Sequence, residues 1–132
     1  MDKRTLVEND FRNGENLILA LDNENFAVHS ALWLFDTERD SWRLIIASEK
    51  VDHSGPKKAY EGIYKVINIL KKEEENFTIT LDNISVVSPF HELIKDIGTT
   101  IQTGVESIAG IRCSRNTINN HYIEDAYIYR MQ

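Results

Sequence analysis

The chain has 132 residues, of which 42% are hydrophobic and 27% are charged, so it predicts one globular domain whose core needs no metal or disulfide framework. Its formal net charge of −6 argues against general nucleic-acid binding, which requires a basic surface. The single cysteine, Cys113, and the absence of an apolar run of ~18 residues predict a cytoplasmic protein with no membrane association, and we expect a bacterial one.

The first elements are a helix and two strands. Thr5 and Glu8 have the spacing of a capping box, and an apolar stripe at three- and four-residue steps follows them as far as Leu21. Gly14 interrupts this stripe, which we interpret as a place where another element packs closely. Residues 31–35 are apolar on both faces and predict a central strand. A short loop and residues 41–50 then complete an antiparallel hairpin.

The middle of the chain predicts two helices separated by a strand. Pro56 is suited to the first position of a helix, because its missing N–H is not needed there. An apolar stripe continues that helix: Ala59, Ile63, Val66, Ile67 and Leu70. Residues 77–81 alternate like a strand, which residues 84–88 extend after a break. A short helix should follow, capped by Ser88 and ended by Gly98.

The C-terminal part predicts a second hairpin, with its turn at Asn119 and Asn120, because asparagine tolerates the left-handed conformation of tight turns. The element order is therefore α-β-β-α-β-α-β-β. We predict one α+β domain over residues 1–132, with a mostly antiparallel sheet and helices packed on one face.

The stretch Asp52-His53-Ser54 has the residue types of a catalytic triad, but adjacent residues of an extended segment do not converge on one point. We favour a helix cap there. A weaker hypothesis is an anion site, in which free N–H groups and lysines at the helix start hold a phosphate or carboxylate. Its residues would be Ser54, Gly55, Lys57 and Lys58.

The richest polar patch lies in the C-terminal hairpin. One hypothesis is general acid–base chemistry or phosphodiester binding there, which would make the chain a nucleic-acid or nucleotide binding or processing protein. The residues of this alternative are Arg112, Arg115, His121 and Asp125. The simpler interpretation, which we favour, is a set of cross-strand ion pairs on a solvated face.

No cofactor or metal site is expected from the sequence. The histidines are His29, His53, His91 and His121, and none lies within one helical turn of another. With a single cysteine, metal-ligand spacing is therefore absent, and only residues brought together by the tertiary fold could supply a site.

With no intact catalytic motif, we lean against an enzyme and expect a small interaction or assembly domain that self-associates or binds another protein. The last strand is more apolar than a free sheet edge should be. We therefore expect the interface there, at Tyr127, Tyr129 and Met131. Nucleic acid is an unlikely partner, given the net charge.

Overall fold

The computed structural model describes residues 8–104 and 107–132. The predicted capping box begins at Thr5, outside the described residues. The elements in chain order are α1 (Glu8–Asn23), β1 (Ser30–Asp36), β2 (Ser41–Ala47), α2 (Lys50–Ser54), α3 (Pro56–Glu73), a short 3-10 turn (Leu81–Asn83), β3 (Ile84–Val87), α4 (Glu92–Gly98), β4 (Ile111–Ile118) and β5 (His121–Met131). The predicted order is confirmed, with α2 and α3 forming one helical segment interrupted at Gly55.

The five strands form one mixed sheet in the order β3-β2-β1-β5-β4. β2 and β3 are parallel, and the other three neighbouring pairs are antiparallel. β1 is the central strand, as predicted from its apolar residues on both faces. β5 also lies inside the sheet, between β1 and β4, so the edges are β3 and β4. The hairpin turn at Asn119 and Asn120 is confirmed, since β4 ends at Ile118 and β5 begins at His121.

Both faces of the sheet carry an apolar cluster, because side chains alternate along each strand. On one face α1 and α3 pack against a cluster that includes Trp33 and Leu44. On the other face α4 packs against a cluster that includes Leu32 and Ile45. The sequence prediction placed all helices on one face, whereas α4 lies opposite the two long helices. A central strand that is apolar on both faces needs cover on both.

Helix α3 has the predicted start at Pro56, and the five residues of its predicted apolar stripe are its buried residues. Helix α2 was not predicted. It occupies the residues just before Gly55, whose φ of 88° lies in the left-handed region and turns the chain between the two helices. None of the helices in the described part of the chain is both long and apolar enough to span a bilayer.

The strand predicted at residues 77–81 is wrong, and the strand of this region is β3. Phe77 and Ile79 are buried, so their alternation reflects insertion into the core from an extended connection. Side chains bind this connection in place of a strand partner: the amide of Asn13 donates to the carbonyl of Asn76 at 3.0 Å. The neighbouring edge of β2 is already paired with β3.

A bulge in β5 changes which face its last residues occupy. Leu32 pairs with Ile128, but Ala31 pairs with Arg130, so β5 holds one extra residue opposite β1. Tyr129 faces α1 and α3, opposite Ile128. Because of the extra residue, Met131 lies on the α4 side together with Ile128. Strict alternation would have placed Met131 on the same face as Tyr129.

Gly14 gives α1 a close approach to β5, as the sequence interpretation proposed. A Cβ atom at Gly14 would lie 2.7 Å from Cζ of Tyr129, whose ring is buried and cannot move aside. We expect Gly14→Ala to lower the free energy of unfolding by about 1–2 kcal/mol, because overpacking outweighs the better helix propensity of alanine. Urea denaturation measures this change. Gly98→Ala is the control, since its nearest neighbour would be 3.9 Å away, and equal losses in the two variants would contradict the packing explanation.

Candidate functional site

The residues of the predicted anion site lie at the junction of α2 and α3. Ser54 ends α2 and forms no cap of α3; Gly55 occupies the N-cap position without a side-chain hydrogen bond. Lys57 and Lys58 are exposed on the first turn of α3. The preceding Asp52 accepts hydrogen bonds from Ser88 Oγ at 2.9 Å and so joins α2 to the segment before α4. The anion site stays a prediction.

In the C-terminal hairpin, Arg112 and Asp125 form a two-pronged ion pair across β4 and β5. The distances are 2.7 Å from Nε to Oδ1 and 2.6 Å from Nη2 to Oδ2, and Ser114 Oγ donates to the same carboxylate. Hydrogen bonding to Asp125 raises the pKa of the Arg112 guanidinium above its ordinary value. The guanidinium also lies over the ring of Trp42, 5.8 Å from its centroid. These contacts fix the pair against the sheet.

Arg115 and His121 contact other partners. Arg115 is exposed, and its Nε lies 3.8 Å from a carboxylate oxygen of Glu124. His121 begins β5, and its Nε2 lies 2.8 Å from Oδ2 of Asp96 on α4. Four residues of extended strand, about 13 Å, separate His121 from Asp125. The four residues of the nucleic-acid hypothesis therefore do not converge on one site. Three of them take part in cross-strand ion pairs like those of the simpler interpretation: Arg112 with Asp125, and Arg115 with Glu124.

The three residues expected at an interface are not on a free edge. Tyr129 and Met131 are 1% and 0% exposed, and Tyr127 is half-buried against Phe11, with ring centroids 4.2 Å apart. The premise of an apolar edge strand is wrong, because β4 covers one side of β5 and β1 the other. An apolar strand inside a sheet has the same composition as an apolar strand at its edge. The sequence of β5 alone therefore could not show that these residues are buried within the domain.

A groove of about 680 Å³ lies on the α4 side of the sheet, between α4, the β1–β2 turn and the start of β5. Its apolar lining includes Leu34, Val87 and Leu93, and its polar lining includes His91 and His121. The groove exists because α4 has only seven residues and covers the sheet face incompletely. We call it the α4 groove.

Two of the charged residues that line the α4 groove, Asp36 and Arg43, bind the protein's own backbone. Asp36 Oδ1 accepts hydrogen bonds from the amides two and three residues later. Arg43 donates to Ser85 Oγ at 2.9 Å and to the carbonyls of Asp82 and Ile84 at 2.8 and 2.9 Å. These groups stabilise the β1–β2 turn and the entry into β3.

Two large aromatic side chains of this region are exposed. Tyr122, which is 58% exposed, lines the α4 groove, and Phe90, which is 74% exposed, immediately precedes His91 of the lining. Sequence reasoning missed Phe90, because it placed the start of the helix at Ser88. The helix begins later, where His91 Nδ1 accepts a hydrogen bond from an α4 backbone N–H, so Phe90 stays outside the helix. Its exposure depends on this later start.

Comparison of the chain with protein-family models, with curated proteins and with solved structures finds no match.

Proposed function

We propose that this domain is a non-catalytic assembly subunit of the cytoplasm that pairs with a second copy of itself through the α4 groove. The observation that carries the proposal is the exposure of Phe90, which is 74% exposed and immediately precedes His91, a residue that lines the α4 groove. Burying an exposed phenylalanine ring against a partner releases free energy that drives association. A large exposed apolar residue next to a concave surface is therefore typical of an interface.

The position of Phe90 suits a two-fold symmetric pair. In such a pair each copy contributes the same patch, so a projecting residue and the groove that receives it must lie on one face. Phe90 immediately precedes His91, which lines the α4 groove. Two copies related by a two-fold axis can therefore each place Phe90 against the apolar lining of the other, with Tyr122 at the rim.

Two further observations favour a non-catalytic role in a reducing compartment. Two charged side chains of the α4 groove, Asp36 and Arg43, bind backbone atoms of the same chain, which favours a structural role over catalysis for them. Cys113 is buried and unpaired, as suits a reducing compartment such as the cytoplasm.

The test is the oligomeric state in solution. We expect the wild-type protein to form a dimer at micromolar concentration and Phe90→Ser to weaken that dimer at least about 30-fold, the effect of losing a central aromatic contact. Sedimentation equilibrium over a range of protein concentrations measures the dissociation constant. The matched control is Tyr64→Ser, because Tyr64 is 52% exposed on α3, on the opposite face of the sheet.

A wild-type protein that stays monomeric at high micromolar concentration would overturn the proposal. So would a dimer that Phe90→Ser and Tyr64→Ser weaken equally. Circular dichroism of both variants is expected to match the wild type, because both side chains project from the surface.

A further inference from the structure

Three side chains with metal-ligating atoms meet where α4 approaches the β4–β5 turn. They are Glu92 and Asp96 of α4 and His121 of β5, and their ligand atoms all lie within 4.8 Å of one another. Glu92 and Asp96 are four residues apart, so they lie on the same face of the helix. The tertiary fold thus assembles a set of ligands that no local sequence spacing could indicate.

The imidazole of His121 lacks a hydrogen bond at the atom that faces this cluster. Nε2 is buried, and it has no hydrogen-bond partner among the described residues although Asp96 Oδ2 lies only 2.8 Å away. The contact between these two atoms is therefore close without being a hydrogen bond. An unsatisfied buried nitrogen is costly, and a metal ion bound between the nitrogen and the carboxylate would satisfy both.

Asn119 holds the other oxygen of the same carboxylate. Its Nδ2 donates to Asp96 Oδ1 at 3.0 Å, from a residue in the left-handed conformation of the hairpin turn, with φ of 54°. This contact orients Asp96 so that Oδ2 is presented to His121. Hydrogen bonds of this kind to a ligating carboxylate are the usual outer support of a metal site.

We propose that Glu92, Asp96 and His121 bind one divalent transition-metal ion, with Zn²⁺ as the best fit. One imidazole and two carboxylates match the nitrogen and oxygen ligands of zinc, whereas Mg²⁺ and Ca²⁺ prefer oxygen ligands alone. The two carboxylates also give the cluster the negative charge that a dication neutralises. Three protein ligands leave a coordination position for water or for a group from a bound molecule.

The experiment is a calorimetric titration of the purified, chelator-treated full chain with Zn²⁺. We expect one Zn²⁺ per chain, at least about 100-fold weaker binding in His121→Ala, and about 10- to 100-fold weaker binding in Asn119→Ala, which removes only the outer support. The matched control is His53→Ala, which removes an exposed histidine outside the cluster and should bind like the wild type.

A second variant keeps the inference testable if His121→Ala does not fold. Glu92→Gln changes an exposed side chain with little change in shape, and it too should weaken Zn²⁺ binding and reduce the rise in melting temperature that Zn²⁺ gives the wild type. The inference fails if the wild type takes up no Zn²⁺ at micromolar concentration, or if His121→Ala and Glu92→Gln bind it like the wild type. Phe90→Ser should bind Zn²⁺ normally, so this result is separate from the proposed self-association.

Discussion

Alanine in place of Arg130 is expected to lower the free energy of unfolding by about 2–5 kcal/mol, because a buried side chain that makes four hydrogen bonds would be lost. Arg130 is 1% exposed. Its Nη2 and Nη1 donate to the two carboxylate oxygens of Asp22 at 2.8 and 3.0 Å. Nε and Nη1 also donate to the carbonyls of Ser107 and Val28. Truncation removes all four hydrogen bonds and leaves a cavity.

Chemical denaturation with urea measures this loss. Domains of this kind are stable by about 5–15 kcal/mol, so the variant should retain only part of its stability or fail to fold. If Arg130→Ala cannot be purified, Asp22→Asn provides the measurement, since it removes the charge and keeps the shape. Arg39→Ala is the control, because its side chain is 66% exposed and its ion pair contributes about 0–1 kcal/mol. A loss below about 1 kcal/mol in Arg130→Ala would contradict the assigned role.

Tyr129→Phe is the second large effect that we expect, at about 1–3 kcal/mol, because it leaves two partners without a hydrogen bond. The Tyr129 hydroxyl donates to the carbonyl of Phe11 at 2.7 Å and accepts from Trp33 Nε1 at 2.9 Å. Trp33 is 1% exposed, so water cannot replace the lost acceptor. Equilibrium denaturation at neutral pH measures the difference.

The same hydroxyl makes the stability of the wild type fall at alkaline pH. Burial raises the pKa of Tyr129 above its ordinary value of 10.0, which means that the folded protein holds this proton more tightly than the unfolded chain. The stability that the protonated Tyr129 hydroxyl contributes is therefore complete below pH 10. Above pH 10 it falls by about 1.4 kcal/mol per pH unit until the folded-state pKa is reached. Tyr129→Phe should lack this slope, and Tyr64→Phe, which alters an exposed ring, should keep it. Equal slopes in the wild type and Tyr129→Phe above pH 10 would contradict this assignment.

The elements that the sequence predicted correctly are those with a strong local pattern. The stripe of α3 repeats at helical spacing, and the turn at Asn119 and Asn120 depends on the conformational preference of asparagine alone. Residues 31–35 indicated a central strand because they are apolar on both faces. The wrong predictions are those that depend on a pairing partner elsewhere in the chain. Residues 77–81 alternate like a strand, but alternation cannot show whether a neighbouring strand is free to pair with them.

The candidate sites depended still more on tertiary structure. His121 and Asp96 are far apart in the chain and meet only because the hairpin turn docks on α4. Spacing rules for metal ligands operate within a helix or a loop, so they could not detect this meeting. Tyr129 and Met131 were assigned to a surface because the position of β5 in the sheet was unknown. Phe90 was missed because its exposure depends on which residue begins α4.

The place of β5 beside β1 has a consequence for how the chain folds. The contact between Ser30 and Met131 joins residues 101 positions apart, so the central pairing of the sheet closes one of the longest loops the chain can form. Such non-local pairing slows folding. Until β5 arrives, the β1–β2 hairpin presents an open strand that is apolar on both faces, which is the surface on which partly folded chains aggregate. Expression at low temperature or with a chaperone that shields exposed strands should therefore raise the yield of folded protein.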